Sequence, residues 1–275
     1  MGEEGRRLGQ LQLQLNPIQL ASIIDNAVVT SIEVVNFYFG ALANADLSQP
    51  AQAGDARYQF RAHEIGADER RAMHERWILA KAFQELLRAV RHSLEEAHIF
   101  VALLTGKHQI KSSATLSEFL EPFKRRAARL KFPDLLDAVN SRLDPKIDFS
   151  AAYVSLQSAR NCLEHRDGIV SKIETDGGER FRLRVPRAKI FYLRNGTEVE
   201  IESGHRIEAG DDRSDVEVLM RLETRERWIA LGERLSFTLA EFNEIAFACH
   251  ILGQQLSARL PRPNVAEAQG ASRED

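Results

Sequence analysis

The sequence predicts a mainly α-helical protein, a helical bundle with a small antiparallel β insertion before the last helix. Apolar residues recur at three- and four-residue steps over long stretches, which is the pattern of amphipathic helices. The capping-box patterns Thr115-x-x-Glu118 and Thr238-x-x-Glu241 mark two helix starts. Strand-forming residues concentrate at about 179–235, around the hairpin signal Asn195-Gly196. Together these observations favour a helical fold with one confined β segment.

Two long helices are expected in the first part of the chain. The first begins after Asn16, because Pro17 suits a first helical turn. The second covers about Asp68 to Leu104, after a loop rich in Ser, Pro and Gly. The predicted apolar faces consist of Ile18, Ala21, Ile24, Val28, Val35 and Phe39 in the first helix, and of Trp77, Ala80, Phe83, Leu87, Val90, Leu94 and Val101 in the second.

Shorter helices are expected next. A third helix reaches about Leu130, with Pro122 where it can kink the first two turns, and a fourth covers about Asp134 to Leu143. Asp148-Phe149-Ser150 is expected to cap a fifth helix, which Gly168 ends near His165. The predicted core face of this helix consists of Tyr153, Leu156, Ala159 and Leu163.

Several strands and a last helix complete the prediction. The expected strands are Phe181–Val185, Ile190–Leu193, Val199–Ile201 and Val216–Leu222, after a turn at Asp176-Gly177-Gly178. Arg227–Leu231 is read either as a further strand or as a helix start. The last helix covers Thr238 to about Leu260, and its apolar face needs a partner. We therefore expect a single domain over residues 1–260, followed by a disordered polar tail over 261–275.

Composition limits the class of protein. The chain has 275 residues, 44% of them hydrophobic, with a net charge of −3, which is enough for a substantial core and does not by itself indicate a polyanionic partner. Its two cysteines are expected to be buried free thiols. No signal peptide and no uninterrupted apolar run of about 20 residues is found. The expectation is a cytoplasmic protein without a membrane span.

The residues best suited to catalysis are Arg160, Asn161 and His165, near the end of the fifth helix. A histidine can act as a general acid or base at neutral pH. A guanidinium can bind a phosphate through two parallel hydrogen bonds, and Asn161 could orient either group. The alternative is structural: Arg160 and Glu164 are four residues apart and could form an ordinary ion pair on an exposed helix face.

The pattern Arg160-Asn161-x-x-x-His165 resembles the R-x4-6-H signature of the HEPN superfamily, in which a polar residue often follows the arginine. The resemblance covers about residues 70–172. It implies a helical bundle that dimerises through the motif helices and builds a composite, metal-independent endoribonuclease site, in defence, toxin–antitoxin or stress systems. It further implies that Arg160 contacts phosphate, that His165 acts on the 2′-hydroxyl or the leaving oxygen, and that Asn161 orients them. Some members of the superfamily are inactive scaffolds.

Other segments offer weaker candidates. Arg166, together with a basic cluster on the third helix, could contact an RNA backbone, although a solvated helix face explains that cluster equally well. The cluster consists of Lys124, Arg125, Arg126, Arg129 and Lys131. Glu95-x-x-His98 has di-iron spacing but no second copy, so no metal and no cofactor is expected.

Two functions are therefore considered. One is an RNA-binding or RNA-cleaving homodimer. The other is a non-catalytic dimerisation or adaptor module that uses the bundle and an acidic surface of the β insertion, with Asp211, Asp212 and Asp215, to bind a protein partner.

Overall fold

The computed structural model describes residues 16–50, 63–105, 115–201 and 217–261. These ranges contain six α-helices and one three-stranded antiparallel sheet, so the mainly helical fold class with a small β insertion is confirmed. The helices are α1 (Ile18–Asn44), α2 (Ala67–Thr105), α3 (Leu116–Arg129), α4 (Phe132–Asn140), α5 (Ser150–Arg166) and α6 (Leu239–Arg259). The strands are β1 (Arg180–Arg194), β2 (Thr197–Glu200) and β3 (Val218–Ala230).

The chain forms two compact units, and the boundary between them falls within α1, α2 and α6. The first unit comprises residues 1–24, 90–148 and 252–275, and the second comprises residues 25–89 and 149–251. Helices α3 and α4 belong to the first unit, whereas α5 and the whole sheet belong to the second. The single domain expected over residues 1–260 stays a prediction. The expected disordered tail beyond residue 261 and the aspartates at 211, 212 and 215 lie outside the described residues.

The sheet has the strand order β2-β1-β3. Asn195 and Gly196 form the turn between β1 and β2 with φ angles of 52° and 76°, which confirms the predicted hairpin. The division of β1 into two strands around Pro186 was wrong, because β1 runs unbroken through this proline. Within the described residues, β2 pairs only with residues 191–194 and Pro186 pairs only with β3. Proline is tolerated at such a position, because no described strand lies on the other side to accept a hydrogen bond from its missing N–H.

Strand β3 settles the alternative left open at Arg227–Leu231. Residues 218–230 form one continuous strand that pairs with β1 from Tyr192↔Val218 to Arg180↔Ala230. The strand conformation read at Arg227–Leu231 is confirmed as far as Ala230, but this segment is part of β3 and not a further strand, and the helix start is wrong. In the sequence, Val216–Leu222 and Arg227–Leu231 look like separate segments because charged residues alternate between them. In the structure these charged side chains form ion pairs and do not contribute to the core.

The helix caps were predicted with mixed success. Both capping boxes are confirmed, since Thr115 with Glu118 and Thr238 with Glu241 exchange the expected reciprocal hydrogen bonds. The expected side-chain cap at Asp148-Phe149-Ser150 is wrong. Phe149 adopts a left-handed conformation there without a side-chain cap. The carboxylate of Asp148 instead accepts hydrogen bonds from Gln255 and Arg259, both at 3.1 Å.

Helix α5 is anchored inside the second unit on two sides. The Ser155 hydroxyl donates to the carbonyl oxygen of Arg182 at 3.2 Å and accepts from the backbone N–H of Arg184 at 2.9 Å, which fixes α5 against β1. The Tyr153 hydroxyl donates to the carbonyl oxygen of Ala248 at 2.9 Å. Tyr153, Leu156 and Ala159 are buried as predicted, whereas Leu163 is half-buried.

Two apolar residues assigned to helix faces are exposed. Ile18 and Trp77 retain 68% and 58% of their accessible surface, so these two assignments were wrong, while the neighbouring Ile24 and Phe83 are fully buried as expected. Helix α1 has the length and mean apolarity of a membrane span, a property that core helices of globular proteins share.

Candidate functional site

The candidate site begins where α5 ends. Asp167 and Gly168 both have positive φ angles, and the backbone N–H groups of both donate to the carbonyl oxygen of Cys162. Gly168 is required here for a second reason, because a Cβ atom at this position would lie 2.9 Å from the carbonyl oxygen of Leu235. The helix stays regular through His165 and Arg166.

The segment after α5 pairs with the segment after β3. The backbone N–H of Val170 donates to the carbonyl oxygen of Glu233, and that of Leu235 donates to the carbonyl oxygen of Gly168, at 2.9 and 2.8 Å. These bonds place residues 232–237 beside the end of the motif helix. The β insertion thereby contributes directly to the site.

A cavity of about 770 Å³ lies at this junction, and all of its lining residues belong to the second unit. Three segments form its walls: one face of α2, the last residues of α5, and the residues after β3. The lining residues are Met73, Arg76, Trp77, Ala80, Lys81, Gln84, Leu163, Glu164, His165, Arg166, Asp167, Arg234, Leu235, Ser236 and Phe237. Four permanent cations and two carboxylates are among them.

The structure brings His165, but not Arg160, to this cavity. The His165 side chain is 61% exposed and lines the cavity. Arg160 and Asn161 are not among the lining residues. Nη1 of Arg160 lies 2.6 Å from Oε2 of Glu164, and the same oxygen lies 3.6 Å from Nε2 of His165. Glu164 therefore stands between the two residues expected to act together.

Asn161 contacts Arg160 rather than His165. Its Oδ1 accepts hydrogen bonds from Nε2 of Gln157 at 3.0 Å and from Nη1 of Arg160 at 3.3 Å. The amide and the Glu164 carboxylate thus hold the guanidinium against the helix surface. Of the two orienting roles considered for Asn161, only the contact with Arg160 is present.

Two cations of the cavity are engaged in pairs of their own. Arg166 forms a close ion pair with Glu174, whose side chain is 2% exposed and also accepts from the backbone and hydroxyl of Ser171. Arg234 lies 2.6 Å from the carboxylate of Asp167. In this arrangement Arg166 stabilises the turn after α5 while lining the cavity, and its contact with RNA stays a prediction.

Four residues of the basic cluster lie on α3 and the fifth, Lys131, is the N-cap of α4, all in the first unit. Lys124, Arg125, Arg126 and Arg129 are all exposed, and the last three line a shallow cavity of about 470 Å³ with Pro122 and Leu130. Burial, followed by the positive charge of Arg126, lowers the pKa of the nearby His98. The surface is basic as predicted, and the contact with RNA stays a prediction.

The two cysteines have no catalytic setting. Cys162 and Cys249 are fully buried free thiols, as expected from the sequence. Burial raises the pKa of Cys249 to about 12, and burial together with the Glu174 carboxylate raises that of Cys162. Within the described ranges, no three His, Cys, Asp or Glu side chains are grouped in a way that could hold a metal ion.

The α2 wall of the cavity was not predicted from the sequence. Arg76, Trp77 and Lys81 share one helix face with Met73, Ala80 and Gln84, at steps of three and four residues. The same spacing, read for apolar residues only, placed Trp77 on the core face. The signal that could have identified this wall is a second row of residues along α2, distinct from the apolar core face, in which an aromatic residue lies among cations.

Comparison with known proteins leaves the site to be interpreted by its geometry, since no protein-family model, no curated protein and no solved structure matches this chain.

Proposed function

We propose that this protein is an RNA-binding protein and metal-independent endoribonuclease of HEPN type, with His165 as its acid–base residue. The observation that carries the proposal is the position of His165, an exposed histidine at a cavity lined by Arg76, Lys81, Arg166 and Arg234. Cations attract a phosphodiester backbone, and an imidazole can move a proton at neutral pH. The resemblance of Arg160-Asn161-x-x-x-His165 to the HEPN signature adds a second, independent line of support.

The proposed reaction is an internal transesterification. His165 accepts the proton of a ribose 2′-hydroxyl, whose oxygen attacks the adjacent phosphorus. The bond from phosphorus to the 5′-oxygen of the next nucleotide then breaks, and a protonated acid returns a proton to this leaving oxygen. The products are a 2′,3′-cyclic phosphate and a free 5′-hydroxyl, so all atoms and protons balance without an added co-reactant.

Arg160 can join this reaction only if it exchanges its partner. Its side chain is 21% exposed and that of Glu164 is 31% exposed, and ion pairs of this kind stabilise a protein by roughly 1 kcal/mol or less. A phosphate offers a guanidinium two parallel hydrogen bonds. We therefore propose that bound RNA displaces Glu164 from Arg160, with Asn161 guiding the side chain.

The proposed active form is a homodimer that joins two α5 helices. One α5 helix supplies a single His165, whereas the reaction needs one group to accept a proton and another to donate one. A second copy of α5 would provide the other histidine. Exposed His165 at the helix end is compatible with this arrangement.

The alternative is a non-catalytic dimerisation or adaptor module. The Arg160–Glu164 pair favours it, because a scaffold is expected to hold the arginine in a structural contact. In that case the cavity would bind a partner without chemistry, and RNA would remain intact under all conditions.

Cleavage of a mixed cellular RNA pool, with EDTA present, tests the proposal. Wild-type protein would be compared with His165→Ala, Arg160→Ala and His92→Ala. His92 is the matched control, since its side chain is 59% exposed against 61% for His165 and it also lies beside a glutamate. We expect His165→Ala to reduce the cleavage rate by about 100-fold or more, and His92→Ala to leave it unchanged.

The chemical identity of the ends provides a further test. We expect 2′,3′-cyclic phosphates at the new 3′ ends, detected by their resistance to direct ligation and by mass. Full cleavage by folded His165→Ala would refute the site, whereas an inert wild type that still dimerises would support the adaptor module.

A further inference from the structure

One wall of the cavity has a composition suited to a nucleobase. Trp77 lies on the face of α2 that lines the cavity, and it retains 58% of its accessible surface. Indole is among the largest apolar groups in proteins, and burying it would stabilise the fold by removing this apolar surface from water. The molecule thus leaves a large flat ring open on the same cavity that His165 lines.

The two cations beside Trp77, Arg76 and Lys81, differ from the other cations of the cavity in their contacts. Of the four cations of this cavity, Arg166 pairs with Glu174 and Arg234 pairs with Asp167. Among the described residues, Arg76 has no ion-pair partner, and the ammonium of Lys81 donates a hydrogen bond only to the neutral Gln84, at 3.3 Å. Arg76 precedes Trp77 directly, and Lys81 follows it by one helical turn on the same face. The indole is therefore flanked by two positive charges that are available to an anion.

We propose that Trp77 is a stacking platform for one unpaired nucleobase, with Arg76 and Lys81 binding the phosphates next to it. Rings of every base can stack on an aromatic side chain, and such contacts are largely indifferent to sequence. A base in a duplex is already stacked on both faces and cannot cover the indole without leaving the helix. The substrate class of the site is accordingly single-stranded RNA, a loop or an end. This assignment rests on the proposed RNA function of the His165 cavity.

Tryptophan fluorescence tests the platform, because the chain has only two tryptophans. Trp228 is 54% exposed on the sheet, where it stacks with Arg182, and it is absent from the cavity lining. Trp228→Phe leaves Trp77 as the only indole, and Trp77→Phe leaves Trp228 as the matched control. Both are made in a His165→Ala background, so that RNA stays intact during titration.

Three probes separate stacking from charge attraction. An unstructured oligoribonucleotide of about 12 nucleotides, within the range of known single-strand sites, is compared with a duplex of equal length and with heparin, a polyanion without bases. Anisotropy of labelled RNA measures binding in parallel. We expect the single strand alone to quench Trp77 saturably, and Trp228 to show no response. Trp77→Ala should weaken single-strand binding by about tenfold, and Trp77→Phe should restore most of it.

The outcomes distinguish this inference from the proposed function. RNA that binds by anisotropy without changing Trp77 emission overturns the platform and leaves the RNA function standing. Equal quenching by the duplex or by heparin overturns it as well, since charge alone then explains the signal. Absence of any RNA binding overturns both.

Discussion

The carboxylate of Glu164 lies 2.6 Å from the guanidinium of Arg160, and its nearer oxygen is 3.6 Å from the imidazole of His165. A single acidic side chain thus occupies the position between the two motif residues where a phosphate would have to bind. Its negative charge opposes an RNA backbone, and its hydrogen bond holds the arginine on the surface of α5. The proposed cleavage of RNA requires this contact to give way when RNA binds.

Glu164→Gln should strengthen RNA binding and accelerate cleavage. The amide keeps the size of the side chain, removes the repulsive charge and weakens its hold on Arg160. An ion pair of this exposure contributes roughly 0.5–1 kcal/mol, which corresponds to a gain in affinity of about two- to fivefold. Titration of labelled single-stranded RNA measures the change.

Glu85→Gln serves as the control for Glu164→Gln, because Glu85 also pairs with an arginine on an exposed helix face. An equal gain in both variants would show that only the net charge matters. A loss of binding in Glu164→Gln would mean that the glutamate supports the site rather than restrains it.

Gly168→Ala should destabilise the second unit and the cavity together. The substitution places a Cβ atom in a left-handed conformation at φ +79° and 2.9 Å from the Leu235 carbonyl oxygen. Gly177→Ala meets the same backbone constraint at φ +81°, with no atom within 4 Å of the added Cβ. We expect losses of unfolding free energy of about 3 and 1 kcal/mol respectively. Urea unfolding monitored by circular dichroism compares the two variants. Equal losses of unfolding free energy would mean that the close contact with the Leu235 carbonyl oxygen does not contribute.

The stabilisation that the Glu198 carboxylate gives to the sheet should be lost in acid. Hydrogen bonds from Arg221 and Lys189 lower the pKa of its carboxyl from 4.5 to about 2. A carboxyl with a depressed pKa stabilises the folded state above its unfolded pKa, and this contribution disappears as the pH falls through the folded value. Glu198→Gln should therefore lower the Tm at pH 6, and the difference from wild type should vanish between pH 4.5 and 2. A difference that persists at pH 2 would mean that packing, not charge, connects these strands.

The two thiols should stay unreactive in the native protein. Cys162 and Cys249 are buried and the pKa of each is raised, so neither presents a thiolate at neutral pH. A chromogenic disulfide reagent should titrate no thiol before denaturation and both thiols in guanidinium chloride. One equivalent reacting rapidly in native buffer would reveal an opening of the second unit around α5 or α6.

The local signals of the sequence predicted most of the fold. Periodicity placed the long helices, reciprocal Thr and Glu spacing placed the starts of α3 and α6, and Asn195-Gly196 placed the hairpin. These features depend on neighbours a few residues away, which is why a single sequence reveals them. The sequence failed at Asp148, whose side chain bonds to α6 instead of capping α5, because that partner is more than 100 residues distant.

The site itself was predicted only in part. Arg160, Asn161 and His165 stood out because of their types and spacing. The pairing of Arg160 with Glu164 had been considered, and its geometry is now defined. The α2 face with Arg76 and Trp77 and the segment with Arg234 could not be placed beside His165, because long-range pairing sets their positions. Charge and aromaticity on α2 suggest a ligand only once the neighbouring wall is known.

The pairing of residues 168–170 with residues 232–235 makes the candidate site depend on two distant parts of the chain. A fragment that stopped at residue 172 would keep every residue of the motif and the whole of α2, yet it would lack the wall formed by Arg234, Leu235 and Phe237. Proteins that share only the six-residue pattern would resemble this one in a helix and differ in what that helix can bind. The appropriate signature for finding relatives of this site combines the motif, the Arg76-Trp77-x-x-x-Lys81 face and a segment after β3 that pairs with the backbone at Gly168.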